Sequence, residues 1–135
     1  MNNSILANEY VTDTVGLVLR IERRRVGPTA KRIFEAVEAG STTVHIPALV
    51  FAEILYLSER RRIRVTLLST TAYLQQFPRY QEYAMGLAVV QAASEITDVP
   101  ELHDRLIGGV ARLRGLELIT NDVSLQSSTA LKTVW

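Results

Sequence analysis

Apolar and polar positions along the chain follow two alternating periods, and their switching predicts a series of strands and helices. The run EYVTD is rich in β-formers and ends on an acid, and the apolar stretch from Thr14 to Ile21 then fits a helix capped by Asp13 or Thr14. Gly27-Pro28 breaks the chain. In TAKRIFEAVEAG, Ile33, Phe34 and Val37 recur at helical spacing, and Gly40 supplies a C-terminal stop. The β-branched TTVHI reads as a buried strand, with Pro47 in the first turn of a helix from Ala48 to Arg60. A further helix is expected from Ile63 to Gln76, a short strand within Arg79 to Met85, and a helix from Gly86 to Glu95. In ELHDRLIGGVARLRG, Leu102, Leu106, Ile107, Val110 and Leu113 form one helical stripe that Gly115 closes. LELITND is expected as a strand ending on an acid, SLQSS as a polar turn, and LKTVW as a last strand. Strands alternating with helices call for an α/β fold with a mostly parallel sheet, in which ligands bind at the carboxyl ends of the strands.

The helix ALVFAEILYLSE is apolar on nearly every face, which predicts burial on several sides, yet Glu53 lies within it. A buried carboxylate without a partner costs several kcal/mol, so Glu53 calls for a cation or a strong hydrogen-bond network. Three more acids stand at comparable places. Asp13 ends the first strand, Asp122 ends a late one, and Asp104 lies near the start of the helix that begins at Glu101. Each alone has a plain structural explanation: a helix cap for Asp13, a surface acid beside His103 and Arg105 for Asp104, an Asx-turn for Asp122. Converging on one rim, the four would repel one another unless a divalent cation were shared. An all-oxygen donor set suits Mg2+ or Mn2+ better than zinc, and such ions activate water for attack on a phosphodiester.

Composition sharpens this picture. At 135 residues, with 47% hydrophobic and 21% charged, the chain is expected to be one domain, residues 1–135, with a packed core. It contains no cysteine, which excludes disulfides and thiolate zinc sites. Neither a signal peptide nor a membrane span is evident, and a cytoplasmic setting is expected. The net charge is only +1, but arginine carries most of the positive charge, in one cluster of Arg23, Arg24 and Arg25 and another of Arg60, Arg61, Arg62 and Arg64. Guanidinium groups match phosphate oxygens, so both clusters are candidates for holding a nucleic-acid backbone; solvated helix ends are the alternative.

The stretches YVTDTVGLV, IPALVFAEILYLSERRRI and PELHDRLIGGVARLRGLELITND, followed by LKTVW, resemble in order and spacing the PIN-domain ribonucleases, and among them VapC-like toxins of toxin–antitoxin pairs. The resemblance covers nearly the whole chain. It implies a PIN-like three-layer α/β/α sandwich with four to five short strands, a Mg2+ or Mn2+ site on Asp13, Glu53, Asp104 and Asp122, and endonucleolytic cleavage of RNA, often transfer RNA. It also implies supporting roles for Thr14, Thr120 and Asn121, a partner antitoxin that enters the acidic groove, and a homodimer. Where the family often has an alanine-rich stretch after the third acid, this chain has Gly108-Gly109, which close approach of another backbone, or of the substrate, would explain. Asp98 and Glu101 are expected to be solvated, and His103 structural. Two other readings remain: a PIN-like domain that binds RNA or protein without catalysis, and a phospho-acceptor signalling domain, for which the chain lacks paired acids after the first strand and a rim lysine.

Overall fold

The computed structural model describes residues 5–135; residues 1–4, part of the expected domain and of the N-terminus read as free of a signal peptide, lie outside the described residues. β1 (Glu9–Thr12) leads directly into α1 (Thr14–Ile21), and α2 (Pro28–Glu38) precedes β2 (Thr43–Pro47). Then α3 (Ala48–Glu59) and α4 (Leu67–Gln75) connect to β3 (Tyr80–Tyr83), and α5 (Leu87–Ser94) and α6 (Leu102–Arg114) return the chain to β4 (Leu118–Ile119). The short α7 (Val123–Gln126) joins β4 to β5 (Thr133–Val134). The five strands pair in parallel in the order β3-β2-β1-β4-β5, giving the three-layer α/β/α sandwich expected from the sequence.

This strand order locates the crevice. From β1 the chain moves outward through β2 to β3, then jumps back over both to place β4 on the other side of β1. Right-handed crossovers therefore put α1 to α4 on one face of the sheet and α5 and α6 on the other. The order reverses between β1 and β4, so their carboxyl ends open into a gap between layers, where α/β folds bind ligands. Asp13 and Thr120 are the residues just beyond these two ends, in register through the pairs Val11 with Leu118 and Thr12 with Ile119. Val11, Leu118, Ile119, Leu17, Ile54 and Ile107 are fully buried around this point and hold the rim rigidly.

The structure departs from the sequence expectations at several points. Pro47 is the last residue of β2, one position before α3. The fourth helix starts at Leu67 because Thr66 and Ser69 form a reciprocal capping box there, which leaves residues 63–66 outside it. The stretch expected as a polar turn is partly helical, since the Asp122 carboxylate caps α7 by accepting the Leu125 N–H at 3.0 Å. Burial of α3 is one-sided: only Val50 and Ile54 are fully buried, whereas Leu55 and Tyr56 are exposed.

Four helices end in the same way. After α1, α2, α3 and α6 a single residue adopts positive φ, and the next N–H bonds to the carbonyl five residues back: Arg24 to Leu19, Ser41 to Ala36, Arg62 to Leu57 and Leu116 to Ala111. At α2 and α6 the positive-φ residue is glycine. At α1 and α3 it is Arg23 and Arg61, where a Cβ makes this conformation about 1 kcal/mol costlier. Both arginine clusters thus sit on the same kind of helix terminus. They also adjoin, because Glu22 at the end of α1 accepts the N–H groups of Arg64 (2.6 Å) and Val65 (3.1 Å).

The glycine pair in α6 has a packing cause. A Cβ at Gly109 would stand 2.8 Å from the Val89 carbonyl and 3.2 Å from the Ala93 backbone N–H nitrogen, so α5 approaches α6 backbone to backbone, as expected. Gly108 faces the side chains of Leu131 and Ile96 instead.

Candidate functional site

Asp13 follows β1 directly and caps α1, so its carboxylate is placed by both elements. Its Oδ1 accepts the Gly16 N–H at 2.8 Å and its Oδ2 the Thr120 hydroxyl at 2.6 Å. Only 6% of the residue is exposed. Burial pushes its carboxyl up to about 6; the Thr120 and Gly16 hydrogen bonds oppose this, and the charges of Asp122 and Glu53 reinforce it. Thr120, one residue past β4, also accepts the Asp122 N–H at 3.0 Å and so ties the two aspartates together.

Glu53 projects from the middle of α3. Its Oε1 accepts the Thr14 hydroxyl at 2.5 Å, and its Oε2 lies 3.3 Å from Nδ1 of His103. The carboxylate is less enclosed than the sequence suggested, with its side chain 25% exposed. Asp104 is the third residue of α6, an end capped by Glu101, which accepts the Asp104 N–H at 2.8 Å. Burial pushes its carboxyl up to about 6, helped by the charges of Asp122, Glu101, Glu53 and Asp13.

Asp13, Glu53, Asp104 and Asp122 therefore line one cleft of about 160 Å³, together with Thr14, Val15, Leu57, Ile107 and Asn121. All four acids named from the sequence meet there, and of the expected supporting residues Thr14 and Asn121 line it while Thr120 bonds to Asp13 from behind. The arginine clusters lie elsewhere: Arg23, Arg24 and Arg25 line a separate basic hollow with Arg20, Val26 and Lys31, and Arg60, Arg61 and Arg62 are exposed at the end of α3. Asp98 and Glu101 have structural work, Asp98 bonding Ser128 and Thr129, and Glu101 capping α6. His103, expected to be structural, is 51% exposed and stands beside Glu53. Only its neighbour Asp104 signalled this position in the sequence.

The donor set fits a hard cation in kind. It offers only oxygen, and two of its carboxyls hold raised values that a shared positive charge would reverse. Each carboxylate keeps lone pairs beyond the bonds that orient it. Among the described residues, however, no group of three or more His, Cys, Asp or Glu side chains is close enough to grip an ion without adjustment.

A family model for the PIN domain matches residues 10–129. The chain belongs to the PIN domain family. No curated protein matches this PIN domain in sequence. Solved structures share its fold. VapBC2 of Rickettsia felis, bound to a promoter DNA fragment, aligns with a TM-score of 0.69 at 18% identity, covering 93% of this chain and 97% of that one. DNA-bound VapBC of Salmonella typhimurium aligns at 0.68 and 16% identity, covering 95% and 98%. VapC20 of Mycobacterium tuberculosis, a toxin that cleaves the sarcin-ricin loop, aligns at 0.61 and 17% identity, covering 91% and 98%. Among the described residues, no helix of this PIN domain is long and apolar enough to cross a membrane.

Proposed function

We propose that this PIN domain is a Mg2+- or Mn2+-dependent endoribonuclease and the toxin of a toxin–antitoxin pair. The observation that carries the reading is the convergence of four carboxylates from β1, α3, α6 and the turn after β4 on one small cleft at the crevice of a parallel sheet. Asp13, Glu53, Asp104 and Asp122 would hold the ion. When bound, it supplies charge neutralisation at the phosphate and a water of lowered pKa.

The chain's own groups do the rest. Thr120 and Gly16 fix both oxygens of Asp13, Thr14 fixes Glu53, and the Leu125 N–H fixes Asp122, so three carboxylates are pre-oriented before any ligand arrives. Val15, Leu57 and Ile107 supply apolar wall around the acids and limit water there. The arginine clusters hold RNA phosphates outside the cleft. The solved complexes of this fold include VapBC pairs, which supports an antitoxin as partner here and a cytoplasmic setting. The exposed apolar residues Leu87 and Val90, three apart on α5, offer surface for a homodimer.

The test is cleavage of a labelled transfer-RNA pool by the purified chain. Mg2+ or Mn2+ is expected to support cleavage and EDTA to abolish it; cleavage undiminished in EDTA would contradict the reading.

A further inference from the structure

Beside the acidic cleft lies a second, larger hollow of about 560 Å³ between α3 and the first turn of α6. Its α3 wall is one helical face, Leu49, Ala52, Glu53, Tyr56 and Leu57, and His103 forms the wall opposite. Glu53 and Leu57 line both hollows, so the two adjoin. The Tyr56 ring is 52% exposed, and the Arg60 guanidinium lies over it at 3.8 Å, one helical turn on.

We propose that this groove receives one unpaired nucleobase of the RNA strand whose phosphate lies at the acidic cleft. The inference rests on the phosphodiester reading of that cleft. Three observations favour a base over other occupants. The cleft itself, at about 160 Å³, has room for a phosphate but not for the adjoining nucleoside, which must go elsewhere, and the contiguous space is this groove. The groove offers what a base uses: an exposed aromatic ring on Tyr56, backed by the Arg60 guanidinium, an imidazole on His103, and apolar wall from Leu49 and Leu57. Finally, exposed arginines follow the groove along the chain. From Glu53 the helix runs seven residues, roughly 10 Å, to Arg60, and the exposed Arg61, Arg62 and Arg64 follow it in the chain. A strand leaving the carboxylates along α3 therefore meets a base site and then cations for its following phosphates.

The consequence is a preference in substrate. Bases inside an A-form duplex are stacked and paired, so the groove selects RNA with an unpaired nucleotide beside the cut, as in a loop or bulge.

The test measures binding separately from cleavage. A set of single-stranded oligoribonucleotides, each with 2-aminopurine at a different position, is titrated with the chain in EDTA and in Ca2+. One position is expected to change its fluorescence on binding, and an abasic nucleotide there to weaken binding about tenfold. Tyr56→Ala should abolish the fluorescence change and bind intact and abasic strands equally; Tyr56→Trp should restore the difference. Both variants alter an exposed side chain, and circular dichroism serves to check that they fold. Fluorescence responses unchanged in Tyr56→Ala, or a duplex bound and cut as well as a loop, would overturn the base site while leaving metal-dependent cleavage standing. A groove indifferent to every oligonucleotide but protected from hydrogen exchange by a protein helix would overturn it in favour of a protein occupant. Loss of cleavage in every metal with the base response intact would instead count against the nuclease reading alone.

Discussion

Asp104→Asn is expected to lower RNA cleavage at least about a hundredfold without unfolding the protein. The substitution keeps the shape of the side chain and removes one negative charge from the set that faces the cleft. A hundredfold loss corresponds to about 2.7 kcal/mol of transition-state stabilisation, within the range for an ion held one ligand short. The fold should tolerate the change, because Asp104 is held against its own preference by burial and by Asp122, Glu101, Glu53 and Asp13. Without metal the variant should melt at or above the temperature of the wild type. Asp98→Asn supplies the contrast. Asp98 lies outside the cleft and ties Ser128 and Thr129 to the loop between α5 and α6, so its loss should lower the melting temperature and leave cleavage per folded molecule intact. Turnover and thermal melting of the two variants side by side check both halves, and equal activity of Asp104→Asn and wild type would contradict the assignment.

The second expectation is a thermal stability that falls with rising pH when metal is absent. Asp13 has a folded value of about 6, above its ordinary 3.8, so between these values the folded chain binds more protons than the unfolded one. Stability from this source is complete below about pH 4 and is lost as pH rises through 6. From pH 5 to 7 the loss attributable to Asp13 is roughly 1 kcal/mol. Asp104 shifts in the same direction and contributes less because it is only partly buried. Glu9, Glu22, Glu38 and Asp98 are shifted downward, and their stabilising effect is lost on acidification below this window. In EDTA the melting temperature of the wild type should therefore drop between pH 5 and 7, more than that of Asp13→Asn. Adding Mg2+ or Mn2+ at pH 7 should raise it again, since an ion that binds only the folded state stabilises that state. A wild-type slope equal to that of Asp13→Asn would contradict the expectation.

Much of this architecture was legible in the sequence for identifiable reasons. β1 and β2 are inner strands with nearly continuous burial, and the middle of the expected α6 stripe, Ile107 and Val110, is buried, whereas Leu102 and Leu113 at its ends are exposed. Asp13, Glu53, Asp104 and Asp122 were legible because each stands at the end of a strand or within a helix entering from the same rim. What escaped was decided by tertiary contacts or by very short elements. α7 spans four residues, too few for a period to show, and exists because Asp122 caps it. The apolar surround of α3 suggested burial all round, but an open groove lined by Leu49, Ala52, Tyr56 and Leu57 produces the same pattern. The ends of α1 and α3 lacked their usual glycine, with Arg23 and Arg61 in its place. The meeting of the two arginine clusters depends on Glu22 bonding residues 42 and 43 positions away, which no local pattern encodes.

Diffraction from crystals grown with Mn2+, recorded at the manganese absorption edge, tests the shared-cation claim most directly. An anomalous peak should appear between Asp13, Glu53, Asp104 and Asp122, with carboxylate oxygens moved inward to coordinate it, and should vanish in Asp13→Asn. A cleft without a peak at millimolar Mn2+, or a peak held by other residues, would contradict the account.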